Sequence, residues 1–431
     1  MTAPPPVASP RNYRLLAAAA VVTGLGASGA LIASAFAVLE AGGSAGDVGL
    51  VAAARTIPLV VFLLIGGAIA DRLPRHRVMV AANVLNCVSQ AIFAILVING
   101  TAQLWQMALL SALGGTGQAF FAPAAEGMLL SSVTGDQAGK AFALFRLGVN
   151  GANIGGAALG GALVAAIGPG WVLAVDAAAF AVAGALRTFL DVSHIPEREP
   201  GPGMLRDLRD GWREVISRPW LWSIVVQFAV VNAVVAAAES VYGPLVARDS
   251  LGGAAPWGYA LAAFGAGTVG GALLMTRYKP KRILLAGILS VFPLALPSAA
   301  LALPLQPMPL AAVMFVSGLS VEMFAVTWMM ALHQEIPEEK LSRVASYDML
   351  GSLAGIPLAT ALAGPAMGVL GIDGALWGCS ALIVLLTAAV LFIPEVRTLT
   401  RREQVPVAAQ PTVKAPRGGS GDGTASASAT G

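Results

Sequence analysis

The sequence predicts an all-α integral membrane fold of about twelve transmembrane helices in two pseudo-symmetric six-helix bundles. Three observations predict it: an unusually apolar composition, a succession of apolar runs of bilayer-crossing length, and an internal repeat that splits the chain. Of the 431 residues, 57% are hydrophobic and 11% charged, with a mean hydropathy of +0.76. Soluble proteins carry about 25% charged residues. The 50 glycines fit close helix packing in lipid, where small residues let backbones approach. A net charge of +3 excludes neither class. The basic residues, however, sit in loops between apolar runs, which argues against nucleic-acid binding and for a lipid bilayer as the surroundings.

Runs of about 18 apolar residues or more can cross a bilayer as helices. They fall roughly at 14–39, 48–70, 78–98, 104–130, 140–166, 171–189, 220–247, 257–276, 282–301, 308–334, 342–370 and 373–393. Residues 1–13 are a proline-rich lead-in with no signal-peptide pattern. Residues 14–189 form the first bundle and 220–395 the second. The connection at 190–219 carries Leu205, Leu208, Trp212, Val215 and Ile216 at helical spacing with arginines between them. That pattern suits an amphipathic helix on the inner membrane surface. The tail, 396–431, is rich in Ser, Gly, Ala and Pro and is expected to be disordered.

Basic residues cluster on one side: Arg72, Arg75 and Arg77; Lys140; Arg277, Lys279, Lys281 and Arg282; Lys340 and Arg343. The loops on the other side lack Lys and Arg except for Arg248. The positive-inside rule then predicts a multi-pass protein of the cell membrane with both termini cytoplasmic. Cys87 and Cys379 lie inside apolar runs and read as packing residues.

Ionisable side chains inside spans normally face a cavity or a partner, because lipid exposure is costly. They are Arg55, Glu126, Arg146, Asp176, Glu239, Glu322 and Asp348. Spacing groups them into polar stripes: Arg146, Asn150 and Asn153 on helix 5; Ser111, Gln118 and Glu126 on helix 4; Asn232 and Glu239 on helix 7. Such stripes predict a wet central pathway lined by Arg55, Ser111, Gln118, Arg146, Asn150, Asn153 and Asn232. The proton-coupling candidates are Glu322, Glu239, Glu126 and Asp348. Glu322 leads, since it lies deep in an apolar helix with no basic neighbour in sequence. The equal alternative is a carboxyl that hydrogen-bonds neighbouring helices together. Glu239 has Arg248 as a possible partner, and Glu126 has Arg146. His333 reads as an interfacial residue. Phe120, Phe121, Phe324, Trp328 and Tyr242 are the aromatics available for an apolar pocket.

The two halves repeat one another. Gly66-Gly67-Ala68 with a basic hairpin ending at Arg77 recurs as Gly270-Gly271-Ala272 with Arg277 to Arg282, and Val133–Lys140 aligns with Ile336–Arg343. A six-plus-six parallel repeat marks one large class of secondary transporters. The hairpin resembles the helix 2–3 loop of the major facilitator superfamily, G-x-x-x-D-R-x-G-R-[RK]-x-[RK]. Gly67, Asp71, Arg72, Arg75 and Arg77 match, with Pro74 in place of the second glycine. Gly156, Gly160 and Gly161 match the helix 5 pattern of exporters, with Ala157 in place of its proline. Asn12-Tyr13-Arg14, Phe121-Ala122-Pro123-Ala124, Asp176 to Phe180 and Ile336 to Ser346 are similar to the branch that holds macrolide-efflux and enterobactin-exporter proteins.

The resemblance implies a transporter rather than an enzyme, without a cofactor or metal and working as a monomer. It would move a small-molecule substrate against protons. Proton-coupled efflux of a hydrophobic compound is the expected activity; proton-symport uptake and a non-transporting sensor or scaffold are the alternatives. Gly67, Asp71, Arg72, Arg75 and Arg77 would form a conformational latch in which Asp71 pairs with a cation or a helix N-terminus while the cytoplasmic side is closed. The competing reading gives those charges only a topological role. No phosphate-binding loop, protease motif or paired-histidine metal motif appears.

Overall fold

The structure, a computed structural model, describes residues 10–70, 75–132, 138–190, 212–303 and 306–401. Long helices dominate. The first half comprises α1 (Pro10–Glu40), α2 (Ala45–Ala70), α3 (Arg75–Ile98), α4 (Leu104–Ser132), α5 (Ala138–Ile167) and α6 (Pro169–Thr188). The second half comprises α7 (Pro219–Leu251), α8 (Ala254–Arg277), α9 (Ile283–Ala302) and α10 (Pro307–Glu335). In α11, Glu338–Ala354 continues past Gly355 into Ile356–Val390. That last run is two crossings, because Gly371 at φ +72° reverses the chain and leaves 372–390 as α12. Among the described residues ten helical stretches are apolar and long enough to span a membrane. The division at Gly371 and the 29-residue α4 bring the crossings to the twelve expected.

Prolines explain the irregular spans. Gly243-Pro244 interrupts α7, and π-helical turns at Ala238–Tyr242 and Ala247–Leu251 flank the break. Pro293 and Pro297 divide α9 into Ile283–Leu289, a 3₁₀ turn at Phe292–Ala295 and Leu296–Ala302. Neighbouring helices carry the packing through such breaks in a membrane protein.

Within the first half α1 packs on α5 and α6, and α3 and α2 pack on α4. Gly156 and Gly160, expected as packing positions, let α1 touch α5: a methyl on Gly156 would collide with the Leu25 carbonyl, and one on Gly160 with Gly29. Within the second half, Gln227 Nε2 on α7 donates to Thr387 Oγ1 on α12 at 2.9 Å, and Ser380 Oγ on α12 donates to the Ala295 carbonyl of α9 at 3.0 Å.

Among the described residues, the halves share a core at one end only. One apolar cluster mixes Val38, Val48 and Val51 of the first half with Val241, Trp257 and Ala363 of the second. These residues lie toward the side whose loops carry no Lys or Arg apart from Arg248. Toward the basic loops the cores separate, one around Ile224, Phe324 and Trp328 and another around Leu16, Val78 and Met79. Glycines trace the same division. Gly161 on α5 meets Gly258 on α8, Gly46 on α2 meets Gly364 on α11, and Gly49 meets the Thr360 carbonyl. Further along α5, a methyl on Gly151 would meet nothing within 4 Å. Among the described residues, the bundles are therefore pinned together at the end away from the basic loops and part toward the other.

Of the linker, residues 212–216 are helical, and Val215 is buried in the second-half core while Trp212 and Ile216 are exposed. The remaining residues of the expected amphipathic helix lie outside the described residues. Glu214 pairs with Arg218 at 2.8 Å and with Lys340, at the start of α11, at 2.7 Å. The Lys340 hydrogen bond, with help from Arg218, holds the Glu214 carboxyl below the usual carboxylate range.

Candidate functional site: a cavity between the two halves

Between the halves lies a cavity of about 510 Å³, walled by α1, α2, α4 and α5 on one side and α7, α8 and α11 on the other. Its apolar wall includes Leu31, Ile32, Val51, Trp257, Leu261 and Phe264. Polar residues, among them Ser28, Thr56, Ser240 and Thr268, are interspersed with that apolar surface, and Arg55 and Glu239 are its charged members.

Six of the residues singled out from the sequence reach this cavity: Arg55, Ser111, Gln118, Asn150, Asn153 and Glu239. The helix 5 stripe delivers Asn150 and Asn153 because residues three apart share a helix face. Asn153 Oδ1 accepts from Ser28 Oγ of α1 at 3.3 Å, which ties that wall together. Arg55 donates from Nη2 to Gln118 Oε1 at 3.1 Å, joining α2 to α4. Close approach of those helices depends on Gly115, where a methyl would collide with the Arg55 carbonyl.

Behind Arg55 stands a buried polar group. Asp176 on α6 is 1% exposed and accepts from Gln90 Nε2 on α3 at 2.7 Å. Its other oxygen, Oδ1, has no hydrogen-bond partner among the described residues and sits where a methyl on Gly26 would stand 2.6 Å away. Arg55 and Asp176 feel each other's charge, although no direct ion pair joins them. An opposite charge nearby lowers the cost of holding the Asp176 carboxylate in the bundle interior.

Glu239 stands opposite in origin, on α7. It lines the cavity and has no hydrogen-bond or ion-pair partner among the described residues. Arg248, named as its possible partner, instead pairs with the adjacent Asp249 at 2.7 Å, an exposed contact within one turn. The π turn at Ala238–Tyr242 carries Glu239. Such turns alter which side chains a helix presents and recur at functional sites.

Other candidates lie elsewhere. Asn232 donates from Nδ2 to the Ser352 carbonyl at 3.2 Å, so it joins α7 to α11 and does not line the cavity. Arg146 is exposed on α5, outside the lining, and its charge interacts with that of Glu322 across the halves. Glu322, half-buried on α10, is also outside the lining; its Cβ would be 2.9 Å from a methyl on Gly271. Asp348 accepts from Trp328 Nε1 at 2.9 Å. Glu126 belongs to α4, but its side chain is outside the described residues, so the pairing with Arg146 is too. Of the hairpin, Asp71 and Arg72 lie outside the described residues, Gly67 is within α2, Arg75 begins α3, and Arg77 is exposed. Gly161 serves the interface between halves rather than the α1 contact.

The five aromatics read from the sequence do not line the cavity. Phe324 stacks on Phe228 at 4.0 Å and Trp328 meets Trp220 edge-on. Tyr242 donates its hydroxyl to the Ala363 carbonyl at 2.9 Å. Phe120 stacks on Phe62, and Phe121 lies 4.5 Å beneath the buried Arg187 guanidinium. The cavity takes Trp257 and Phe264 instead. His333 is exposed in the last turn of α10, and Cys87 and Cys379 are unpaired thiols, half-buried and buried.

The comparisons with known proteins agree with one another. A model of the Major Facilitator Superfamily matches residues 15–360. The multidrug efflux pump Tap of Mycolicibacterium fortuitum is 30% identical over 406 residues, covering 89% of this chain and 96% of that protein. Among solved structures, the nucleoside transporter NupG superposes with a TM-score of 0.71 at 13% identity, over 88% of this chain and 98% of the other. A POT family transporter bound to 5-aminolevulinic acid gives 0.72 at 11% identity, over 90% and 97%. A bacterial homologue of the human lysosomal transporter Spinster, in an inward-facing and unoccupied conformation, gives 0.68 at 15% identity, over 92% and 100%. At these identities the superpositions establish a shared fold.

Proposed function

The chain belongs to the Major Facilitator Superfamily, a multi-pass membrane transporter and not an enzyme, and we propose that it exports a small, largely apolar compound in exchange for protons. The observation that carries the reading is Glu239, a carboxyl without a partner among the described residues, on the wall of a cavity whose halves are pinned at one end. The similarity to a multidrug efflux pump supports the direction.

In this reading the basic loops are cytoplasmic and the structure is an inward-facing state. A compound enters from the cytoplasm and displaces a proton from Glu239. The bundles then rock, opening the Gly161–Gly258 and Gly46–Gly364 contacts and closing the other end. Release outside lets Glu239 take a proton from that side and resets the cycle. The Asp71 latch, with Gly67, Arg72, Arg75 and Arg77, would hold the cytoplasmic side during the outward phase. Arg146 and Glu322, on opposite halves, would add a second contact there.

Inverted membrane vesicles with an acid interior test it. A panel of hydrophobic drugs is added and proton release followed with a pH-sensitive dye. Drug-dependent release that disappears in Glu239→Gln is expected. Proton movement indifferent to every acidic replacement would overturn the coupling, and accumulation of the compound with an inward proton gradient in intact cells would overturn the direction.

A further inference from the structure

The cavity carries two fixed groups of opposite character on walls that belong to different halves. Arg55, on α2, is a cation at every accessible pH. Its Nη2 is held by Gln118 at 3.1 Å, and Asp176 balances its charge from behind the wall. Glu239, on α7, has no partner among the described residues. No ion pair links Arg55 with Glu239, so each retains capacity toward the cavity. The same lining offers an apolar surface, with Leu31, Val51, Trp257 and Phe264, alongside uncharged polar groups such as Asn150 and Asn153.

We infer that the site selects a zwitterionic amphiphile, seating its cationic group at Glu239, its anionic group at Arg55, and its apolar body against Trp257 and Phe264. The inference deepens the export reading and rests on it only for the direction of movement. A simple cation gains at Glu239 but meets the positive Arg55. A simple anion meets the reverse. An uncharged compound leaves both groups unmatched in a low-dielectric site, whereas a zwitterion complements both. Its cationic end also supplies the charge that replaces the proton on Glu239, so the exchange stays balanced. Since the two anchors lie on different halves, such a ligand bridges the halves that must move. Gln118 positions the Arg55 guanidinium through its hydrogen bond at 3.1 Å, while Asp176 offsets the charge without touching it.

Three dyes on one xanthene scaffold provide the test. Fluorescein is anionic, tetramethylrhodamine zwitterionic, and tetramethylrhodamine methyl ester cationic. Binding to the purified full-length protein in lipid nanodiscs is followed by fluorescence anisotropy, with no proton gradient present. Tetramethylrhodamine should bind at least about tenfold tighter than either relative. The charge-neutral double variant Arg55→Gln with Asp176→Asn should erase its advantage over the ester while ester binding holds or improves, whereas Arg55→Lys, which keeps the charge, should retain most of it. Glu239→Gln should weaken both rhodamines and leave fluorescein unaffected or tighter. Equal binding of zwitterion and ester to the native protein would overturn the inference, as would Arg55 variants that weaken both alike. Since binding is read without transport, failed proton exchange in vesicles would sink the export reading and leave this result to stand or fall alone.

Discussion

Gly161 of α5 and Gly258 of α8 lie backbone to backbone: a methyl on Gly161 would stand 2.7 Å from the Gly258 Cα, and one on Gly258 would stand 2.8 Å from the Gly161 Cα. Each belongs to a different half, so in the proposed rocking cycle this contact exists only while the end away from the basic loops is closed. Overpacking of this kind costs about 1–3 kcal/mol. Gly161→Ala or Gly258→Ala should therefore shift the conformational equilibrium about 5- to 150-fold toward opening of that end. Spin labels at Asn99→Cys and Met308→Cys, both exposed at that end, should report a longer mean distance. An unchanged distance distribution would refute the closed-gate role.

The spans and the repeat were legible because a bilayer imposes a length and a composition on every crossing. The α5 stripe was legible for a related reason: Asn150 and Asn153 follow regular helical spacing and do reach the cavity. Spacing failed on α7. Asn232 and Glu239 share a face of a regular helix, but the π turn starting at Ala238 breaks that register. Asn232 bonds the Ser352 carbonyl, while Glu239 lines the cavity. Glu322 and Glu239 look alike in sequence, since hydropathy reports depth and not the direction in which a helix is turned. Trp257 and Phe264 were missed because nothing in an apolar run separates a cavity-facing aromatic from a core one. The pairing of Gly161 with Gly258 was equally hidden, as it needs the two halves placed against each other.

Glu239→Gln should lower drug-dependent proton release in inverted vesicles by about tenfold or more, since an amide cannot carry the proton. Glu322→Gln, remote from the cavity lining, should retain release with at most an altered rate. The reverse ranking, with Glu322→Gln silent and Glu239→Gln active, would return the coupling role to α10.

Asp348 has a structural occupation as the acceptor for Trp328 Nε1 at 2.9 Å. Asp348→Asn keeps an acceptor oxygen, and its proton exchange should match the native protein. Trp328→Phe removes the donor and should cost about 0.5–1.5 kcal/mol of stability. Thermal unfolding in detergent measures the second effect and the vesicle assay the first. Loss of exchange in a stably folded Asp348→Asn would make Asp348 a proton carrier instead.

The Glu214 pairs with Lys340 and Arg218 fix the end of the linker to the start of α11. Because these partners lower the folded-state pKa of Glu214, its contribution is present above the ordinary glutamate pKa and is lost as pH falls through the lowered value. Lys340 is half in water, so screening holds the contribution to at most about 1 kcal/mol. Unfolding midpoints of the native protein and of Glu214→Gln should therefore differ at pH 7 and converge toward pH 3. A difference that persists unchanged in acid would show that the effect of Glu214 is not electrostatic.

Arg146 and Glu322 carry opposite charges on α5 and α10, one from each half, and interact across the space where the halves part. Arg146 is exposed and Glu322 half-buried, and neither has an ion-pair partner within 4.0 Å among the described residues. Rocking that closes the basic-loop end would bring their helices nearer and strengthen the attraction, stabilising the outward-open state. Arg146→Glu puts two like charges at that closure and should slow transport severalfold without weakening drug binding in the inward-facing state. Glu322→Arg should do the same. The charge-swapped double variant restores the attraction with its sign reversed and should recover most of the rate. A double variant no faster than the slower single one would mean that the two residues act independently, and that closure at this end relies on other contacts.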